Sequence, residues 1–254
     1  MLQRSRVALA RPAVVPPGTR LYVVGDIHGC KVLLDQLLAG IVEDAAGSAA
    51  ARRVVVFLGD YIDRGPDARQ VVDTLMAGPP ASWPGFQWVC LKGNHEDAML
   101  RFLADQPGGA AWLVNGGIST AESYLREEPG DSFDWAGLRR HMSHALPETH
   151  RVFLSGLPLW HIEGDYCLVH AGLKPRIPLE AQSPADLLWI RDEFLASPVD
   201  HGRLVVHGHT PTWSPDVRPN RIGIDTAAFA TGRLTALVAE GDEAFFLSTE
   251  SSVG

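Results

Sequence analysis

The chain predicts an α/β fold: two mixed β-sheets packed face to face as a sandwich, helices outside, and a site at one end of the strands. Three observations carry this reading. Short apolar runs alternate with helical patterns through about the first 105 residues, the mark of a mostly parallel sheet with right-handed crossovers. Each of those runs stops at or just before a Gly-Asp or Gly-Asn step. Beyond a helix-rich middle, a second set of short strand-like runs follows, separated by turn residues.

In chain order, residues 1–19 read as a loose lead-in closing on Pro16-Pro17-Gly18, and 20–254 as a single domain. Leu21–Val24 is a buried strand stopping at Gly25. Val32–Val42 follows with Val32, Leu33, Leu37, Leu38 and Ile41 at helical spacing. Val54–Leu58 is a β-branched strand ending at Gly59-Asp60, and Ala68–Met76 a helix stopped by Pro79-Pro80. Trp88–Leu91 is the third strand, ending at Lys92-Gly93-Asn94, with a helix from about Glu96 to Ala104 after it. The segment 106–155 reads as helices and loops, with Trp112, Asn115-Gly116-Gly117, Trp135, His141 and His144, and is expected to shape substrate access. Leu159–Ile162, Tyr166–His170, Leu204–His207, Arg221–Asp225, Leu234–Ala239 and Ala244–Ser248 then read as an antiparallel set, with hairpin turns at Glu163-Gly164-Asp165 and Glu240-Gly241-Asp242.

Composition narrows the functional classes. A chain of 254 residues with 46% apolar and 20% charged residues is ordinary for a globular domain and long enough to bury a core. A net charge of −8 argues against a general nucleic-acid binder, yet leaves anionic substrates open, because bound divalent ions invert the local potential. Three scattered cysteines, Cys30, Cys90 and Cys167, do not form a disulfide framework and point to a reducing compartment. Cys167 reads as a small buried hydrophobe on a strand rather than a nucleophile. No run approaches the ~18 apolar residues of a membrane span. The N-terminal run Val7–Ala10, cut by Arg11, is too short for a signal peptide, so a cytoplasmic location with no membrane partner is expected.

Five blocks carry chemistry: Gly25-Asp26-Ile27-His28-Gly29, Gly59-Asp60-Tyr61-Ile62-Asp63-Arg64-Gly65, Gly93-Asn94-His95-Glu96, His170-Ala171-Gly172 and Gly208-His209-Thr210. Each alone is weak: an aspartate there serves as a helix cap, a histidine as a polar loop residue. Together they offer carboxylate, imidazole and amide oxygen without thiolate, a donor mix for Mn²⁺, Fe or Zn²⁺. In an open α/β sheet, residues at the carboxyl ends of strands gather at one edge. The count then closes. One ion takes Asp26, His28 and a bridging Asp60; the other takes Asp60, Asn94, His170 and His209. Open positions are left for water to attack a phosphorus ester. His207 reads as packing beside the site, His141 and His144 as surface imidazoles, and His150, His161 and His201 have no constellation around them.

From about residue 21 to 212 these blocks resemble the phosphoprotein phosphatase (PPP) family of serine/threonine phosphatases, within the metallophosphoesterase superfamily, and most of all its small bacterial and phage members. The first three blocks match closely; the last two match more loosely, Ala171 standing where many members have Gly. The resemblance implies the calcineurin-like metallophosphoesterase β-sandwich, the six metal ligands just named on two divalent ions (Mn²⁺ foremost), and a phosphorylated protein or peptide as substrate. It adds His95 as general acid oriented by Asp63, with Arg64, Arg191 and Asn94 holding the phosphate. It also implies direct attack by a metal-bridging hydroxide without a phosphoenzyme.

Three other readings compete with this one. Dinucleoside polyphosphates, such as diadenosine tetraphosphate, would use the same scaffold; Asp63 before Arg64-Gly65 favours phosphomonoesters, since symmetrically cleaving relatives usually lack it. A phosphodiesterase or nuclease would carry a histidine two residues after His209, where this chain has Pro211. A catalytically dead binding module would not keep every ligand and His95.

Overall fold

The computed structural model describes residues 2–125 and 134–250. Part of the segment 106–155 therefore lies outside the described residues. The strands are β1 (Gln3–Arg6), β2 (Thr19–Val24), β3 (Arg52–Phe57), β4 (Phe86–Cys90), β5 (Trp160–Glu163), β6 (Tyr166–Val169), β7 (Leu204–His207), β8 (Asp216–Val217), β9 (Arg221–Gly223), β10 (Thr235–Glu240) and β11 (Glu243–Ser248). The helices are α1 (Lys31–Ala46), α2 (Ala68–Ala77), α3 (Asn94–Leu103), α4 (Ile118–Leu125), α5 (Trp135–Ala145), α6 (Glu148–Gly156), α7 (Pro184–Trp189), α8 (Asp192–Leu195) and α9 (Ala228–Thr231).

Two mixed sheets form. One runs β1-β11-β10-β2-β3-β4, with β2, β3 and β4 parallel and β10 antiparallel to β2. The other runs β5-β6-β7-β9-β8, with β6, β7 and β9 parallel. Side chains alternate across each strand, so β2, β3, β10 and β11 of the first sheet face two cores. Leu21, Val23, Val54, Val56 and Leu237 meet Tyr166, Leu168, Leu204, Val206 and Ile222 between the sheets. On the other face Tyr22, Val24, Val55, Phe57 and Val238 pack on α1, α2 and the helices that follow. Burying one such aliphatic side chain stabilises by about 1.5–3 kcal/mol, so a charged residue at Val56 would break the sandwich at its centre. Leu34, Leu37, Leu38, Ile41 and Ala45 make the buried stripe of α1 at the spacing the helix period demands.

The structure corrects four details of the sequence reading. Residues 3–6 are not loose: β1 pairs antiparallel with β11, and Ala13 and Val15 of the lead-in are buried between the sheets. The later strands are not one antiparallel set. The connection from β6 to β7 carries α7 and α8, long enough for a parallel crossover, and β10 and β11 join the first sheet. The third strand begins at Phe86, two residues earlier than its pattern suggested, and α3 begins at Asn94 rather than Glu96. Both predicted hairpin turns form, closing on Glu163↔Tyr166 and Glu240↔Glu243. No helix among the described residues is long and apolar enough to cross a membrane.

Candidate metal centre

Six parallel strands, three in each sheet, end at the same edge of the sandwich. Asp26 follows β2, Asp60 follows β3 and Asn94 follows β4; His170 follows β6, His209 follows β7 and Asp225 follows β9. All six are buried. The backbone here is contorted. Of the eight non-glycine residues with positive φ among those described, five are His28, Asp60, Asp63, Arg64 and His209. Such conformations persist only where the surroundings hold them, and they cluster at functional sites.

Asp60 sits at the centre. Its Oδ2 is 3.7 Å from His28 Nε2 and 3.8 Å from His95 Nε2, and its Oδ1 is 3.5 Å from His170 Nε2. Two groups of donor atoms converge, His28-Asp60-His95 and Asp60-His170-His209, each close enough to grip one cation, and Asp60 belongs to both. Asn94 Oδ1 lies 2.8 Å from both His170 Nε2 and His209 Nδ1, inside the second group. Asp26 stands beside it: its Oδ2 accepts the His209 amide at 2.9 Å. Gly208 is required there because a Cβ would run into Asp26 Oδ1.

Three observations fit two divalent cations. Asp26 Oδ1 and His209 Nε2 are buried without hydrogen-bond partners. His170 Nδ1 lies 3.0 Å from the Leu58 carbonyl, so it carries the proton; Nε2 then presents its lone pair to Asn94 Oδ1, and a cation between them resolves the conflict. Finally, five carboxylates, Asp26, Asp60, Asp63, Glu96 and Asp225, are buried together. Burial, then Asp225 and Asp60, push Asp26 well above the usual carboxylate range. Burial lifts Asp225 to about 6 and, with Asp60, Glu96 to about 7. Burial would raise Asp60 too, but His170, His95, His28 and His209 outweigh it and hold it ionised. Burial also drives His28 down to about 3 and lowers His170 and His209, leaving neutral imidazoles, the ligand form.

His95 behaves differently. Burial pulls it down, but Asp60 and then the Asp63 hydrogen bond raise it to about 9, so the ring is cationic near neutrality. Its Nδ1 is 2.5 Å from Asp63 Oδ2, which leaves the Nε2 proton facing the site. Asp63 is itself fixed by Trp112 Nε1, at 2.8 and 3.0 Å from its oxygens, and by Thr120 Oγ1 at 2.6 Å. Arg64 places Nη1 at 2.7 Å from His28 Nε2 and Nη2 at 3.3 Å from His95 Nε2, over the Phe229 ring at 4.7 Å. Arg191 Nη1 donates to Thr210 Oγ1 at 3.2 Å, and neither Asp192 nor Glu193 pairs with it among the described residues. A cavity of about 310 Å³ opens beside His95, lined by Arg64, Asn94, Arg101, Trp189 and Arg191 among others.

Several contributors had no assigned role in the sequence. Glu96 accepts from the amides of Gly93, Asp60 and Tyr61 at 2.8–2.9 Å, tying the Asp60 loop to the first turn of α3. A Glu at the third helical position is a capping signature and could have exposed it. Asn115-Gly116-Gly117 lies in the kinked segment Leu113–Gly117, where Asn115 and Gly116 leave helical φ/ψ. The Gly116 carbonyl accepts the Arg64 amide at 3.1 Å, and a Cβ at Gly116, where φ is 109°, would stand 2.9 Å from Arg64 Cγ. Asp225 had no signal beyond its place at a strand end. His150 is not isolated as the sequence implied: its ring is buried between Tyr124 Oη and Asp73 Oδ1, each at 2.9 Å. His207 lies outside both donor groups, 3.3 Å from Arg221 Nη1 and against Phe194.

Comparison with known proteins agrees with this geometry. The family model for calcineurin-like phosphoesterases matches residues 19–233. A bis(5′-nucleosyl)-tetraphosphatase (asymmetrical) of Anoxybacillus flavithermus is 26% identical, over 85% of this chain and 88% of its own. Serine/threonine-protein phosphatase 1 of Salmonella typhimurium is 29% identical, over 85% of this chain and 89% of its own. A solved structure provisionally described as a diadenosine tetraphosphatase superposes with a TM-score of 0.63 at 22% identity, covering 96% of this chain and all of that one, which is a likeness of fold. Matched by that family model over residues 19–233 and carrying two donor groups that share Asp60, this chain belongs to the calcineurin-like phosphoesterases and is a metal-dependent hydrolase of phosphoester bonds.

Proposed function

We propose that the chain hydrolyses dinucleoside polyphosphates of the diadenosine tetraphosphate type. One observation carries this reading: the cavity beside His95 is lined by three guanidinium groups, Arg64, Arg101 and Arg191. One scissile phosphate is well served by two forks, so the third favours a substrate with further phosphates. The Anoxybacillus relative supports the same substrate class.

Asp26, His28 and Asp60 would hold one ion, and Asp60, Asn94, His170 and His209 the other, with Mn²⁺ the first choice among ions these donors accept. When bound, the pair supplies an activated water and positive charge for the phosphate oxygens. The residues do the rest. His28 Nε2 has one lone pair, so once it is engaged the Arg64 guanidinium turns from it to phosphate. Arg191 approaches the same phosphate from the Thr210 side. His95 holds a proton on Nε2, at the cavity wall, for the departing oxygen; Asp63 fixes its tautomer and supports its charge.

A phosphomonoester reading rests on that same dyad. A serine alkoxide needs a proton to leave, whereas a nucleotide phosphate hardly does, so a cationic His95 has more to offer a phosphoserine. The Salmonella relative supports it. Side-by-side turnover of diadenosine tetraphosphate and a phosphoserine peptide by the Mn²⁺-loaded protein separates the two. A higher kcat/KM for the nucleotide, by about tenfold or 1.4 kcal/mol, is expected. Preference for the peptide would overturn the proposal.

A further inference from the structure

We propose that Trp189 and Arg101 form a nucleotide subsite, Trp189 stacking on the base and Arg101 gripping a phosphate beyond the scissile one; this rests on the dinucleoside polyphosphate reading and deepens it. Both residues line the 310 Å³ cavity beside His95, and both also line a second cavity of about 670 Å³ that continues past them toward Arg151. They are the shared wall of one trough that starts at the general acid. An elongated substrate whose scissile phosphate lies at the metal centre has to cross that wall.

Trp189 ends α7 with 46% of its surface exposed, edge-on to His209 with ring centroids 6.2 Å apart. A tryptophan whose ring is half bare beside a phosphate site is a stacking platform, because every base offers a π-face and the ring loses little entropy in receiving it. The fold does not need this ring as core: the buried face of α7 is made by Leu187 and Leu188. Arg101, in the last turn of α3, makes no ion pair among the described residues, although Asp97 shares the second cavity with it. Arg64 and Arg191, by contrast, are already held at the site by His28 and Thr210. A free guanidinium in the trough, beyond the two that face the scissile phosphate, is placed for the next phosphate of a chain. A cavity of this size also lies at the lower end of the range of about 300–1,000 Å³ that small-ligand pockets occupy.

The test is calorimetric and needs no turnover. α,β-Methylene-ADP and methylenediphosphonate, which differ by the nucleoside, are titrated into the Mn²⁺-loaded protein. The wild type should bind the nucleotide about tenfold more tightly, the value of one stacked base. Trp189→Ala should erase that preference and Trp189→Phe retain most of it. Arg101→Ala should weaken both compounds relative to inorganic phosphate. Equal affinity of the two compounds in the wild type, or a preference that survives Trp189→Ala, overturns the stacking role. Unchanged binding of both in Arg101→Ala overturns the phosphate role. Failure of the parent reading shows elsewhere: chromatography would find diadenosine tetraphosphate intact, whatever the calorimetry gave.

Discussion

At the scale of single residues, the dyad His95-Asp63 is the proposed proton donor. Asp63 holds Nδ1, so the proton available for a leaving oxygen is on Nε2. His95→Asn should therefore cut turnover of an alkyl phosphate by about 10²–10⁴ while costing less on p-nitrophenyl phosphate or on a phosphoanhydride, whose leaving groups need little help. Equal losses on all three, read from kcat/KM, would remove His95 from the acid role. A pH profile probes the same pair. Asp63 favours the cationic form of His95, which is lost as pH rises, so activity on alkyl phosphates should fall on the alkaline side. Asp63→Asn removes one of the negative charges that favour that form, and the alkaline limb should move to lower pH. The blocks displayed His95, Asp63 and the candidate ligands because motif residues need only sit at strand ends to be found. Trp112 and Thr120, which fix Asp63 from 49 and 57 residues away, could not be read, since nothing local in the chain marks them as partners.

Among the elements, the strand ends and the kinked turn Leu113–Gly117 set the geometry. The turn receives the Arg64 amide on Gly116 and seats the Trp112 ring, over which a Cβ at Gly117 would clash. Gly116→Ala puts a Cβ against Arg64 Cγ at a backbone angle that L residues rarely adopt, at a cost of about 1–3 kcal/mol. The expected outcome is a raised KM for phosphoester substrates with two metal ions still bound, checked by kinetics beside elemental analysis; loss of the ions would show that the turn supports the metal centre itself. The sequence displayed Asn115-Gly116-Gly117 as a feature but not its job, because the partner, Arg64, lies across the fold. Periodicity served well for β2, β3 and α1, where one face of each is buried. It served poorly for β6, β7 and β9. Their four-residue and three-residue lengths carry no sign of strand direction, which the intervening helices decide. β1 escaped notice because all four of its residues are exposed, so it has no apolar alternation to read.

For the whole molecule, the fold gathers five buried carboxylates at one edge, and two dications would be the counter-charge that makes this tolerable. Chelation should thus lower the melting temperature, and the loss should depend on pH. Asp225 and Glu96 have folded-state values of about 6 and about 7, above their ordinary ones, so the metal-free fold takes up protons that the unfolded chain releases. Their contribution is complete below about pH 4 and is lost as pH rises through about 7. The melting temperature of the chelated protein should accordingly fall across that interval, and Mn²⁺ should restore it most at the upper end; a metal effect that is flat with pH would argue that the ions do not neutralise these groups. The account depends above all on Asp60 holding two cations at once. The direct measurement is an anomalous-difference map from a Mn²⁺-soaked crystal. Two peaks about 3.5–4 Å apart, one beside each carboxylate oxygen of Asp60, are predicted; a single peak, or two peaks remote from Asp60, would contradict it.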